Sequence, residues 1–105
     1  PIREQFLATS AYGYAQCGLA ISRMDQRDTL ARITAPTLVI AGTSDPATTP
    51  EVCQRLADAI PGSRYAEVDA AHIAAVEAAG AFTSLILDHL SSIDDASVRE
   101  ENGAP

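Results

Sequence analysis

The sequence predicts an α/β protein built round a parallel βαβ unit, and three observations carry that expectation. The run Thr37-Leu38-Val39-Ile40-Ala41 is continuously apolar after its first residue and is bounded by Pro36 and Gly42, the pattern of a strand covered on both faces by helices. Helix start signals follow at Thr48, Thr49 and Pro50, and a second short strand pattern, Arg64 to Val68, closes the unit. Strand, helix, strand in this order is nearly always right-handed and sets both strands parallel in one sheet.

The elements follow in chain order. From Arg3 to about Ser22, apolar or small residues at Leu7, Ala11, Tyr14, Gly18 and Ile21 keep helical spacing. Gly13 and Gly18 weaken that helix by about 1 kcal/mol each relative to alanine, so they mark a candidate break or close backbone approach. Asp25 to Thr34 read as a short helix or turn that Pro36 forces to end. In the crossover helix, Thr48 or Thr49 is the N-cap, Pro50 sits in the first turn, and Glu51 closes a capping box if Thr48 caps. Val52, Leu56, Ala59 and Ile60 make its apolar stripe, and Pro61-Gly62 ends it.

The loop Asp69-Ala70-Ala71-His72 leaves the second strand, which Glu67 interrupts. A closing amphipathic helix runs from about Ala81 to Leu90, with Phe82, Leu85, Ile86, His89 and Leu90 at helical offsets. Residues 91–105 lose that periodicity and collect Asp94, Asp95, Glu100 and Glu101. The expected organisation is one domain over residues 1–92 and an acidic, flexible tail over 93–105.

Composition narrows the function classes. The 105 residues carry a formal charge of −7, with 47% hydrophobic and 20% charged side chains, ordinary globular usage rather than that of a disordered chain. All 7 cations are arginines scattered along the chain, leaving no basic stripe for nucleic acid or for an anionic membrane surface. No apolar run approaches the roughly 20 residues a spanning helix needs, and Pro-Ile-Arg-Glu has no signal-peptide layout. A soluble cytoplasmic protein is expected, with Cys17 and Cys53 as reduced thiols.

Asp45 lies just beyond the end of the first strand and His72 just beyond the end of the second. Carboxyl ends of strands in open α/β sheets are where ligands bind. On adjacent loops the two side chains can reach hydrogen-bonding distance. The carboxylate would then fix the imidazole tautomer and stabilise the imidazolium, as the two rear members of a Ser-His-Asp relay do. Taken singly, each has a plainer reading: Asp45 as a turn former before Pro46, His72 as a loop histidine with a structural bond.

The remaining reactive residues read as structural. His89 is a partly buried histidine bonded to a neighbour, and Cys17, mid-helix, a buried thiol rather than a nucleophile. Asp69, His72 and Glu77 have chelating spacing, but no further histidine or cysteine falls at ligand distance, so neither metal nor cofactor is expected. A base formed by the amine of Pro1, as in tautomerases, would require an opening strand where Ile2 to Ile21 has helical spacing.

The segment TLARITAPTLVIAGTSDPATTP, Thr29 to Pro50, resembles the acid-bearing stretch of α/β-hydrolases. AIPGSRYAEVDAAHIAAVE, Ala59 to Glu77, is similar to the stretch carrying their catalytic histidine, and AFTSLILDHL, Ala81 to Leu90, to their closing helix. With GYAQCGLAI from Gly13, the resemblance extends toward the 3-oxoadipate enol-lactonase group, which hydrolyses a carboxylated enol-lactone in aromatic catabolism. It implies the C-terminal part of an α/β-hydrolase fold, a Ser-Asp-His triad with Asp45 as acid and His72 as base, and a small ester or lactone substrate. Ala74, Ala75, Ala78 and Ala79 depart from that group, which tends to carry polar residues and a proline there.

Such enzymes place a G-x-S-x-G elbow before the acid. Nothing before Asp45 matches it. Ser44, in Gly-Thr-Ser-Asp-Pro, adjoins the acid and lacks the second glycine. The resemblance therefore implies a serine outside this chain. Two parallel strands are also too few for an independent sheet, so the chain is expected to self-associate or to belong to a larger fold. A non-catalytic hydrolase remnant that works as an oligomerising interaction module is the alternative.

Overall fold

The computed structural model describes residues 2–101, with side chains as far as Asp94. Its elements are α1 (Ile2–Ala8), α2 (Ala11–Arg23), α3 (Arg27–Leu30), β1 (Leu38–Gly42), α4 (Pro50–Ala59), β2 (Arg64–Val68), α5 (Ala74–Glu77) and α6 (Ala79–Glu101). β1 and β2 pair in parallel, Leu38 opposite Arg64 and Gly42 opposite Val68. Among the described residues these two strands are the whole sheet, an incomplete fold because independent sheets need three or more strands or a well-covered face. Pro1 and residues 102–105, the last part of the expected tail, lie outside the described residues.

The core sits between the sheet and α4. Val39 and Ala41 of β1, Ala57 and Ile60 at the end of α4, Val68 and Ala70 are all buried. Leu38 and Ile40 point the other way along the pleat, stay half-buried and line a groove with Phe82, Ile86 and Leu90 of α6. One face of the apolar strand is thus closely covered and the other only partly.

Several boundaries differ from expectation for local reasons. The N-terminal helix is broken at Thr9-Ser10, not at a glycine: the Ser10 side chain accepts from the Gly13 amide at 3.2 Å and the Thr9 hydroxyl donates to the Gln5 carbonyl at 3.0 Å. Hydroxyl side chains compete for backbone groups in this way and favour helix ends. Neither α1 nor α2 buries a residue, so the thiol of Cys17, expected in a core, is exposed. Thr49 rather than Thr48 is the N-cap of α4, with Pro50 following it. That helix turns Ala57 and Ile60 to the sheet, while Val52 and Leu56 line a groove with Leu30 of α3. Its end is as expected, with Gly62 in the left-handed region at φ 70°.

At the C-terminus, α6 continues past Leu90 to Glu101. Loss of apolar periodicity does not end a helix when nothing else stops it. The sequence has no glycine or proline between Gly80 and Gly103 and supplies the good helix formers Ala96, Arg99, Glu100 and Glu101. Among the described residues no helix is long and apolar enough to cross a membrane.

Candidate active site

The two strands end on the same side, and their backbones stay joined beyond the ladder. The Thr43 amide donates to the Val68 carbonyl and the Ser44 amide to the Ala70 carbonyl, both at 3.0 Å. Only glycine permits this approach: a Cβ on Gly42 would lie 2.3 Å from the Ala71 carbonyl oxygen and 2.7 Å from that of Ala70. The loop bearing Asp45 and the loop bearing His72 are thereby held side by side.

Asp45 is 7% exposed, and a carboxylate so placed needs partners. It has four. Oδ1 accepts from the amides of Ala47 at 2.8 Å and Thr48 at 3.1 Å, while Oδ2 accepts from the Thr48 hydroxyl at 2.6 Å and lies 2.9 Å from Nδ1 of His72. Four partners fill the lone-pair sites of a carboxylate. The Thr48 hydroxyl, followed by His72 and the two amides, outweighs burial and holds the Asp45 carboxyl well below the usual carboxylate range.

A group whose folded-state value is depressed stabilises the fold above its unfolded value, about 3.9 for aspartate, and loses that contribution as the pH falls through the folded-state value. Thermal melts should therefore show a gap between wild type and Asp45→Asn that is present at about pH 5 and closes as the pH falls below about 4. A gap that persists into strong acid would contradict the assignment.

His72 is differently placed. Its side chain is 61% exposed against 6% for Asp45. An ionised carboxylate can only accept, so in the neutral ring the nitrogen facing it, Nδ1, carries the hydrogen and Nε2 keeps its lone pair. Nε2 makes no hydrogen bond among the described residues. A cavity of about 260 Å³ beside the pair is lined by Gly42, Asp45, Thr48, Cys53, His72 and Phe82. The arrangement is an oriented imidazole with its free nitrogen accessible, able to take up a proton and return it.

Thr48 was not legible as part of this site. Its position before Pro50 reads as a helix cap, yet its hydroxyl and amide both serve Asp45. The available signal was Asp45-Pro46-Ala47-Thr48, since an aspartate side chain commonly bonds the backbone two and three residues on. His89 lies apart on α6, half-buried, with Nε2 3.4 Å from the Pro36 carbonyl oxygen. Among the described residues no group of three His, Cys, Asp or Glu side chains is arranged to hold a metal ion, and Cys17 and Cys53 are both free thiols.

Residues 1–79 match the family described as the alpha/beta hydrolase fold. The chain belongs to that family. Within it, the chain is 43% identical over 77 residues to 3-oxoadipate enol-lactonase 2 of Acinetobacter baylyi, covering 73% of this chain and 29% of that enzyme. It is 34% identical over 85 residues to 3-oxoadipate enol-lactonase 1 of the same organism, covering 81% and 32%. The crystal structure of the enol-lactonase from Burkholderia xenovorans LB400 superposes with a TM-score of 0.83 at 46% identity, over 86% of this chain and 35% of that one. The chain spans about a third of the length of these relatives. Within the α/β-hydrolase family the chain is thus close to the enol-lactonases, as the stretches Thr29 to Pro50 and Ala59 to Glu77 imply.

Proposed function

We propose that this chain carries the base and the orienting acid of a serine-type ester or lactone hydrolase. His72 is the general base and then the general acid, Asp45 is its orienter, and the serine nucleophile comes from outside these 105 residues. The observation that carries this reading is the 2.9 Å contact between Nδ1 of His72 and Oδ2 of Asp45, which leaves Nε2 free. Nε2 takes the proton of the serine hydroxyl as its oxygen attacks the carbonyl carbon, and Asp45 stabilises the imidazolium that results. The imidazolium then gives that proton to the leaving oxygen, and the cycle repeats with water to release the acyl group. The names of the relatives favour a small enol-lactone as substrate, and no step calls on a cofactor.

The test is a segment exchange. Replacing the 77 aligned residues of the A. baylyi enol-lactonase 2 by those of this chain should give a folded hydrolase that opens the host's enol-lactone. A chimaera that folds, binds the lactone and leaves it intact would overturn the proposal.

The interaction-module reading draws on a different observation, the exposure of Phe6, Leu7, Tyr12, Tyr14 and Ile21 on α1 and α2. Phe6 and Tyr14 meet edge to face with ring centroids 6.0 Å apart, and an exposed apolar cluster of that kind marks an interface or a missing neighbour. Under this second reading the 105-residue chain alone should sediment as associated species. A monomer with a single cooperative melting transition would show that its two-stranded sheet suffices, and would contradict the interaction module. Activity of the chimaera separates the two readings.

A further inference from the structure

We propose that Glu77 is the positioning residue of His72, clamping the two backbone amides that flank it so that the imidazole stays aimed along the Asp45 axis. The inference rests on the function proposed for His72. His72 sits in a loop between β2 and α5, with most of its side chain in solvent, so packing contributes little to its orientation. Among the described residues the ring itself has one hydrogen bond, to Asp45. A ring on a mobile backbone would swing about that single contact.

The Glu77 carboxylate removes that freedom. Oε2 accepts from the Ala71 amide at 2.9 Å and Oε1 from the Ile73 amide at 3.1 Å, one on each side of His72. The side chain reaches back because α5 begins directly after Ile73: the amide of Glu77 donates to the Ile73 carbonyl at 3.0 Å, which places the glutamate one turn above the loop. Bonds to an ionised acceptor are shorter and stronger than neutral ones, and two of them fix a rigid bracket where one would leave a hinge. The Ala71 carbonyl, on the same peptide run, is also packed against Gly42. The loop is thus held from β1 on one side and from Glu77 on the other.

Glutamine keeps one acceptor oxygen and replaces the other by a donor that cannot serve a backbone amide. Glu77→Gln should therefore retain one half of the bracket, and Glu77→Ala neither. In the chimaeric hydrolase the expected result is a graded loss in kcat, about tenfold for the glutamine variant and about a hundredfold for the alanine variant, because small misplacements of a reacting group cost that much. KM should stay within about twofold, since binding contacts to the substrate are untouched. In amide-exchange measurements on the full 105-residue chain, Ala71 and Ile73 should lose protection in both variants while the strand amides keep theirs.

A merely structural role would lower the melting temperature, leave kcat per folded molecule unchanged and speed exchange throughout the chain; that outcome overturns the proposal. Asp45→Asn, measured alongside, keeps the two claims apart. If it abolishes turnover while both Glu77 variants keep wild-type kcat, the bracket is wrong and the relay stands. If it leaves turnover intact, Asp45 does not orient the base and the relay fails instead.

Discussion

Asp45→Asn in the chimaeric hydrolase is expected to lower kcat by roughly four orders of magnitude, the loss that follows when the acid of such a relay is made an amide. The hydrogen bonds dictate why. Two backbone amides point at Oδ1, which forces the carbonyl oxygen of an asparagine into that place and its NH₂ into the place of Oδ2. The Thr48 hydroxyl can rotate to accept from that NH₂. The imidazole cannot adapt so cheaply, because it must now accept at Nδ1 and carry its hydrogen at Nε2. The nitrogen that should take the serine proton is then occupied. Folding should survive, since the substitution keeps shape and most bonds. A loss below about tenfold, measured on folded protein, would mean that Asp45 does not orient the base.

Gly42→Ala is expected to have the second-largest effect, and it acts on both stability and turnover. The new Cβ would stand 2.3 Å from the Ala71 carbonyl oxygen, where ordinary contact begins at 3.4 Å. Backbone must give way by about 1 Å, and the backbone that gives way carries His72. Forcing an extra carbon into a packed site costs about 1 to 3 kcal/mol, and a displacement of that size at a reacting group costs about a hundredfold in rate. The melting temperature and kcat should fall together. A variant with wild-type kcat would show that the two loops keep their alignment without the close approach at Gly42.

The parts of the fold that read clearly from the sequence were those with a strong physical contrast. β1 is apolar between Pro36 and Gly42, and α4 runs from Pro50 to the Pro61-Gly62 turn, so both showed their type and nearly their ends. From these followed the parallel unit and the placement of Asp45 and His72 beyond its strand ends, which the structure brings to 2.9 Å. What stayed hidden lacked contrast. α5 lies in the alanine-rich stretch Ala74 to Ala79, where apolar and polar faces do not alternate. Its consequence, the reach of Glu77 back to Ala71 and Ile73, was hidden with it.

Thr48 was concealed by ambiguity rather than by silence. A threonine two residues before a helical proline serves equally as a cap or as a partner for an upstream aspartate, and only the packing of the turn decides. The break at Ser10 and the continuation of α6 to Glu101 are local matters of side-chain bonding and of absent breakers. The partial cover of Leu38 and Ile40 comes from elsewhere: a strand apolar on both faces is written for a sheet wider than the two strands described.

The most direct test of the central claim is the tautomer of His72, read by nitrogen NMR on the chimaera with its histidines labelled, under conditions where the ring is neutral. The geometry predicts a hydrogen on Nδ1, bonded to Asp45, and a bare Nε2. A hydrogen found on Nε2, or a ring that averages freely between the two forms, would contradict it.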